Sequence, residues 1–219
     1  HIWENISDGV DIVCGGPPCQ GFSMANRQRV IDDPRNNLYK AYLQFLSVVR
    51  PKFFVMENVK GMANKIDEIK ENFKEYLGEE YKCDFRLLKA QDFGVPQNRE
   101  RLILIGNRMG VEPKEIFDSI EKKKRVSFVL KDALVGLPHL EARKQKNQGD
   151  LEELTTGLTE RDFDYIENDF YRFINGGRKI YKLYNHKNRY NNERDIEIYR
   201  RLPQGANSLH PSIADIMPY

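Results

Sequence analysis

The sequence predicts an α/β sheet, mostly parallel with an antiparallel pair at its end, followed by an irregular C-terminal segment. Three observations predict it. The apolar runs Val10–Cys14 (VDIVC), Lys52–Met56 (KFFVM) and Arg101–Gly106 (RLILIG) read as buried strands bounded by turn residues. Two stretches around the second run repeat apolar residues at helical spacing. Residues 81–88 alternate apolar and polar, as a half-exposed strand does. The order strand, helix, strand, helix, strand, strand suits a sheet covered by helices.

The elements follow in order. Val10–Cys14 stops at Gly15-Gly16-Pro17-Pro18, and residues 15–36 read as a long loop of the kind that carries function. Leu38, Tyr42, Phe45, Leu46 and Val49 mark one face of a helix over Asn37–Arg50, which Pro51 ends. Lys52–Met56 runs into a polar Glu57-Asn58. A second helix, from about Asn64 to Leu77, carries Ile66, Ile69, Phe73, Tyr76 and Leu77 on one side, with Gly78 as its cap. A loop over Gln91–Asn98 leads into the last strand. A soft boundary falls near residue 110. Beyond it, Val126–Leu137 reads as a strand leading into a short helix, and residues 141–180 show no period.

Composition bounds the class. Of 219 residues, 40 % are hydrophobic and 31 % charged, which is ordinary for a globular chain. No apolar run approaches the roughly 18 residues of a membrane span. The chain starts at His1 without a secretory leader, and is expected to be a piece of a longer one. Cys14, Cys19, Cys83 and four histidines have no zinc-type spacing, so no metal is expected and a cytoplasmic, reducing compartment fits. Residues 150–169 carry eight acids against one base, and residues 170–201 nine bases against three acids. Such a block reads as a solvated face or as a footprint for phosphates.

Ligands of open α/β sheets sit beyond the carboxyl ends of the strands. Two polar constellations fall there: Gly15 to Ser23 after the first strand, and Glu57 to Gly61 after the second. They bring a thiol, Cys19, and a carboxylate to one rim. A loop cysteine is commonly inert, but one in a Gly/Pro-held loop near a carboxylate and arginines is a candidate nucleophile. Gly15-Gly16 is a poor phosphate cradle, because Pro17 and Pro18 remove two backbone donors and the lysine and hydroxyl of a P-loop are missing.

Gly15-Gly16-Pro17-Pro18-Cys19-Gln20-Gly21-Phe22-Ser23 closely resembles the Pro-Cys motif of the DNA cytosine-5 methyltransferases. Asp33-Pro34-Arg35-Asn36-Asn37-Leu38, Glu57-Asn58-Val59 and Gly94-Val95-Pro96-Gln97-Asn98-Arg99-Glu100-Arg101 resemble three further motifs of that family, in family order. Asn185-His186 and Arg200–Tyr219 resemble stretches that some bacterial members carry ahead of their last motifs. The resemblance implies part of a Rossmann-like S-adenosylmethionine-dependent methyltransferase sheet over residues 1–110. Residues 111–219 would be a variable segment, the start of a target-recognition region. It also implies S-adenosylmethionine as cofactor, double-stranded DNA as partner, a monomeric enzyme and a restriction-modification setting.

The chemistry explains the residue set. A Cys19 thiolate adding to carbon 6 of cytosine makes carbon 5 nucleophilic enough to take a methyl group. Glu57 is the acid expected at ring nitrogen 3, and burial would favour the protonated form it needs. Arg101, with Arg99 beside it, is expected at the ring carbonyl oxygen. By family position Pro18 and Leu38 touch the cofactor, and Gln20, Ser23, Asn58, Arg27 and Arg29 touch the DNA. The base must leave the stack for any of this. The family's Phe-x-Gly-x-Gly cofactor turn and its ribose-binding acid do not precede residue 10, and its last motifs would follow Tyr219. Two other readings remain: a tRNA cytosine-5 methylase, against which Gly21-Phe22-Ser23 speaks, and a non-catalytic nucleic-acid-binding relative, which would have no need of Cys19, Glu57, Arg99 and Arg101.

Overall fold

The computed structural model describes residues 9–18, 37–141, 143 and 158–217. Contacts divide the chain into two compact units, His1–Ala133 and Leu134–Tyr219. The first unit holds β1 (Ile12–Gly15), α1 (Asn37–Val49), β2 (Phe53–Val59), α2 (Ile66–Leu77), β3 (Lys82–Lys89), β4 (Glu100–Asn107) and α3 (Pro113–Glu121). Short 3₁₀ turns at Lys60–Lys65 and Ala90–Phe93 follow β2 and β3.

The four strands form one mixed sheet in the order β1-β2-β4-β3. β1 and β2 are parallel neighbours, with Gly15 opposite Met56. β4 lies antiparallel between β2 and β3. Thus β1, β2 and β3 share one direction and β4 alone opposes them. The antiparallel end is therefore a three-strand arrangement rather than a single terminal pair. Its consequence is functional: the start of β4 lies beside the end of β2, with Arg101 opposite Val59.

Strand periodicity assigns the faces. Phe54 and Met56 of β2, with Leu102 and Leu104 of β4, join Tyr39, Leu43 and Leu46 of α1 and Ile69, Phe73 and Leu77 of α2 in one core. Phe54 and Phe73 stack at 5.2 Å. Each large apolar side chain buried there contributes about 1.5–3 kcal/mol. α1 ends where Arg50 turns into the left-handed region (φ 49°) ahead of Pro51. Gly78 caps α2 in a backbone conformation (φ 80°) that favours glycine, and its N–H donates to the Lys74 carbonyl.

α3 continues this unit beyond the boundary expected near residue 110. Its Phe117 is fully buried beneath the Arg86 guanidinium of β3, and Glu112, ahead of it, pairs with Lys82. No strand forms over 126–129. Val126 is 82 % exposed and has no partner strand among the described residues, and the short helix α4 (Leu130–Leu134) follows.

The second unit is built from short elements. β5 (Glu160–Asp162) pairs antiparallel with β6 (Lys182–Tyr184), and α5 (Asp169–Ile174) and α6 (Glu193–Arg201) follow their own asparagine caps, Asn168 and Asn192. Phe163 and Tyr171 meet edge to face at 5.9 Å in its core. Several of its basic residues are ion-paired: Lys182 with Glu160 and Asp162, Arg200 with Glu197, Arg201 with Glu197 and Asp215. That arrangement favours the solvated-face reading for these residues.

Candidate active site

Three strand ends converge on one rim of the first unit. β1 ends in Gly15 and passes into Gly16-Pro17-Pro18. β2 carries Glu57 and Asn58 in its last residues. β4 begins at Glu100-Arg101, with Arg99 just ahead. A loop closed by its own backbone aims the arginines: Val95 N–H donates to the Ala90 carbonyl at 3.3 Å, Arg99 N–H to Gln97 at 2.9 Å, and Ala90 N–H to Arg99 at 2.8 Å. Gly94 makes the turn possible with a φ of 84°.

Glu57 is the centre of this rim. One carboxylate oxygen lies 2.6 Å from Arg101 Nε and 3.8 Å from Arg99 Nη2. The other faces Gly16, where a β-carbon would stand only 3.3 Å away. The Gly-Pro turn and the two arginines thus flank the carboxylate from opposite sides. The burial expected of Glu57 is not found: its side chain is 43 % exposed, because period-2 alternation turns it away from the helix-covered face that holds Phe54 and Met56. Arg99 is exposed as well, and Arg101 is half-buried.

Asn58 points the other way. It is 3 % exposed, donates from Nδ2 to the Pro17 carbonyl at 2.9 Å and accepts from Val59 N–H at 2.9 Å. It therefore ties the end of β2 to the Gly-Pro turn instead of lying open for DNA, the role expected of it. Between the arginines, Glu100 takes Lys60 Nζ at 2.7 Å and Lys89 Nζ at 3.9 Å, and the Lys60 hydrogen bond holds its carboxyl below the usual range. Neither Glu100 nor Lys60 was singled out by the sequence, although a carboxylate between two motif arginines is a legible signal. Tyr42 was read only as part of the apolar face of α1, yet its hydroxyl reaches the strand carbonyls beside the turn.

Leu38 is 49 % exposed in the first turn of α1, and Pro18 is exposed at the end of the turn. Cys19, Gln20, Ser23, Arg27 and Arg29 lie outside the described residues. Among the described residues no group of three His, Cys, Asp or Glu could hold a metal ion, and no helix is long and apolar enough to cross a membrane.

A mixed sheet flanked by helices, with its polar groups at the carboxyl ends of a parallel strand pair, is the Rossmann-like fold of S-adenosylmethionine-dependent methyltransferases. Within that class the chain belongs to the C-5 cytosine-specific DNA methylase family, which matches residues 2–213. It is 49 % identical over 115 residues to the Type II methyltransferase M.AquIA of Picosynechococcus sp., covering 46 % of the chain and 45 % of that protein. It is 33 % identical over 156 residues to M.MthTI of Methanothermobacter thermautotrophicus, covering 69 % and 46 %. A prophage-encoded E. coli protein assigned as a DNA modification methyltransferase superimposes with a TM-score of 0.56 at 29 % identity, over 78 % of the chain and 45 % of that protein. The chain thus spans less than half the length of these relatives. Family membership implies dependence on S-adenosylmethionine.

Proposed function

We propose that the chain carries the catalytic centre of an enzyme that methylates carbon 5 of a cytosine flipped out of double-stranded DNA, through a bond between Cys19 and carbon 6. The observation that supports it most is Glu57, set between the Gly16 backbone and the Arg101 guanidinium at the carboxyl end of β2. Cys19 follows Pro18 directly in the chain, and Pro17 is tied to Asn58 beside Glu57.

The roles follow from the chemistry. The Cys19 thiolate adds to carbon 6 and breaks the π bond to carbon 5. Glu57 gives a proton to ring nitrogen 3 as negative charge builds there. Arg101 moves from the Glu57 carboxylate to the ring carbonyl oxygen, with Arg99 holding the rim positive. A base entering this rim covers the 43 % exposed Glu57 side chain, and as Arg101 leaves it the carboxylate takes from solvent the proton that it gives to nitrogen 3. S-adenosylmethionine, when bound, supplies the methyl group to carbon 5. Pro18 and Leu38, both exposed, would help to hold it, as their family positions imply. Solvent water takes the carbon 5 proton, the electron pair of that C–H bond re-forms the carbon 5–carbon 6 double bond and expels the Cys19 thiolate, and nitrogen 3 returns its proton to Glu57. The Type II relatives support a place in a bacterial restriction-modification system.

The test is Glu57→Gln in the full enzyme. Methyl transfer is expected to slow by roughly 10²–10⁴-fold, the range for loss of a general acid. Turnover near the wild-type rate would refute the role given to Glu57.

A further inference from the structure

We propose that Tyr42 is a positioning residue for the Gly15–Pro18 turn and, through it, for Cys19, the residue that follows. This rests on the function proposed above. Three observations carry it, all of them away from the Glu57 cluster.

The first is the hydroxyl. Tyr42 Oη donates to the Val55 carbonyl at 3.1 Å, and the Val13 carbonyl lies 3.5 Å away. Val13 and Val55 belong to the two parallel strands whose ends form the rim, so one hydroxyl from α1 bridges β1 and β2 close to the rim. The second is the ring. A β-carbon at Gly15 would stand 2.5 Å from Tyr42 Cε2 and 3.0 Å from Cδ2, closer than two carbons can approach. The ring thus occupies the space where any other side chain at position 15 would go, and sets where β1 must stop and turn. The third is the environment. Burial pushes the Tyr42 phenol well above its ordinary pKa, and the nearby Cys14 thiol adds to this. At working pH the group therefore remains an O–H donor and never an oxyanion.

Asn58 holds the turn at Pro17 and Tyr42 holds it at Gly15, so the turn is fixed at both ends. The ladder with β2 holds Gly15 as the last residue of β1, and the Tyr42 ring adds a side-chain contact where that ladder ends. A nucleophile delivered by a two-point clamp reacts from one geometry, and a displacement of about 1 Å can cost roughly 10²-fold in rate.

The experiment compares Tyr42→Phe with Tyr39→Phe in the full enzyme. Tyr39 lies one turn earlier on the same helix, is 3 % exposed, and its hydroxyl accepts from Asn72, a contact within the helix layer. Single-turnover methyl transfer, DNA affinity and melting temperature are measured for each. Tyr42→Phe is expected to slow single-turnover transfer by roughly tenfold while DNA affinity stays within about twofold, a loss in kcat rather than in KM. Tyr39→Phe is expected to lower the melting temperature and leave the single-turnover rate unchanged. Equal rates for Tyr42→Phe and wild type would overturn the proposal, as would equal losses from both variants. If Tyr42→Phe does not fold, Gly15→Ala perturbs the same contact from the other side and is read in the same way. DNA carrying 5-fluorocytosine separates this inference from the function it rests on, because fluorine leaves no carbon 5 proton to lose and the adduct persists. If the wild type forms no adduct, the function fails. If wild type and Tyr42→Phe form it at equal rates, only the positioning role fails.

Discussion

Replacing Asn58 by alanine removes, from a site 3 % exposed, at least the hydrogen bond donated to the Pro17 carbonyl and the one accepted from Val59 N–H. A protein hydrogen bond contributes about 1 kcal/mol net, and a buried partner left unpaired costs about 1–3 kcal/mol. Pro17 is only half-buried, so water can replace part of its loss. Together these give roughly 2–3 kcal/mol, or a fall of about 5–10 °C in melting temperature for a domain of this size. The catalytic effect should exceed the stability effect, because the Gly-Pro turn loses its anchor beside Glu57. Single-turnover methyl transfer is expected to fall by about 10²-fold. Asn58→Asp keeps an acceptor for Val59 N–H but sets a buried carboxylate oxygen against the Pro17 carbonyl, so it should lose at least as much stability and rate as the alanine variant. Urea melts and single-turnover assays on both variants supply the numbers. An Asn58→Ala enzyme with a melting temperature within about 1 °C of wild type and an undiminished rate would refute the anchoring role.

Two further outcomes follow. Burial pushes the Cys83 thiol up to about 12, with Lys70 opposing, so at pH 8 Cys83 stays protonated and should resist alkylation in the native enzyme while exposed Cys14 reacts; equal labelling by mass spectrometry would contradict the burial of Cys83. Lys182 is committed to Glu160 and Asp162, so Lys182→Ala should leave the salt dependence of DNA affinity unchanged, whereas neutralising Arg178 and Lys179, which make no ion pair among the described residues, should flatten its log–log slope by about two units; the reverse pattern would restore Lys182 to the DNA footprint.

The strands of the first unit were legible because each is an apolar run long enough to show its period. Reading the second strand only as far as Met56 hid the most informative feature of the site. The strand continues to Val59, and its alternation then carries Asn58 to the buried face with Phe54 and Met56, and Glu57 to the open one with Phe53 and Val55. The burial expected of Glu57 thus falls to Asn58, the residue expected at the DNA. Gly61 and Ala63 gave no helical period, so α2 starts at Ile66 after a 3₁₀ turn and not near Asn64. The runs at 126–129 and 160–184 differ from one another physically. The first has alternation but no partner strand among the described residues, and the second has partners but strands of three residues, too short to show a period. The Tyr42 contact with Gly15 depends on a helix crossing two parallel strands, and no spacing within the sequence encodes that approach.

The most direct test of the account is to trap and map the covalent bond. The full enzyme is incubated with S-adenosylmethionine and duplex DNA carrying 5-fluorocytosine at the target base, then digested and analysed by mass spectrometry. A nucleotide adduct is expected on the peptide containing Cys19 and is expected to be absent in Cys19→Ala, which should still bind DNA. A catalytically competent enzyme that yields no adduct, or one that carries it on Cys14 or Cys83, would contradict it.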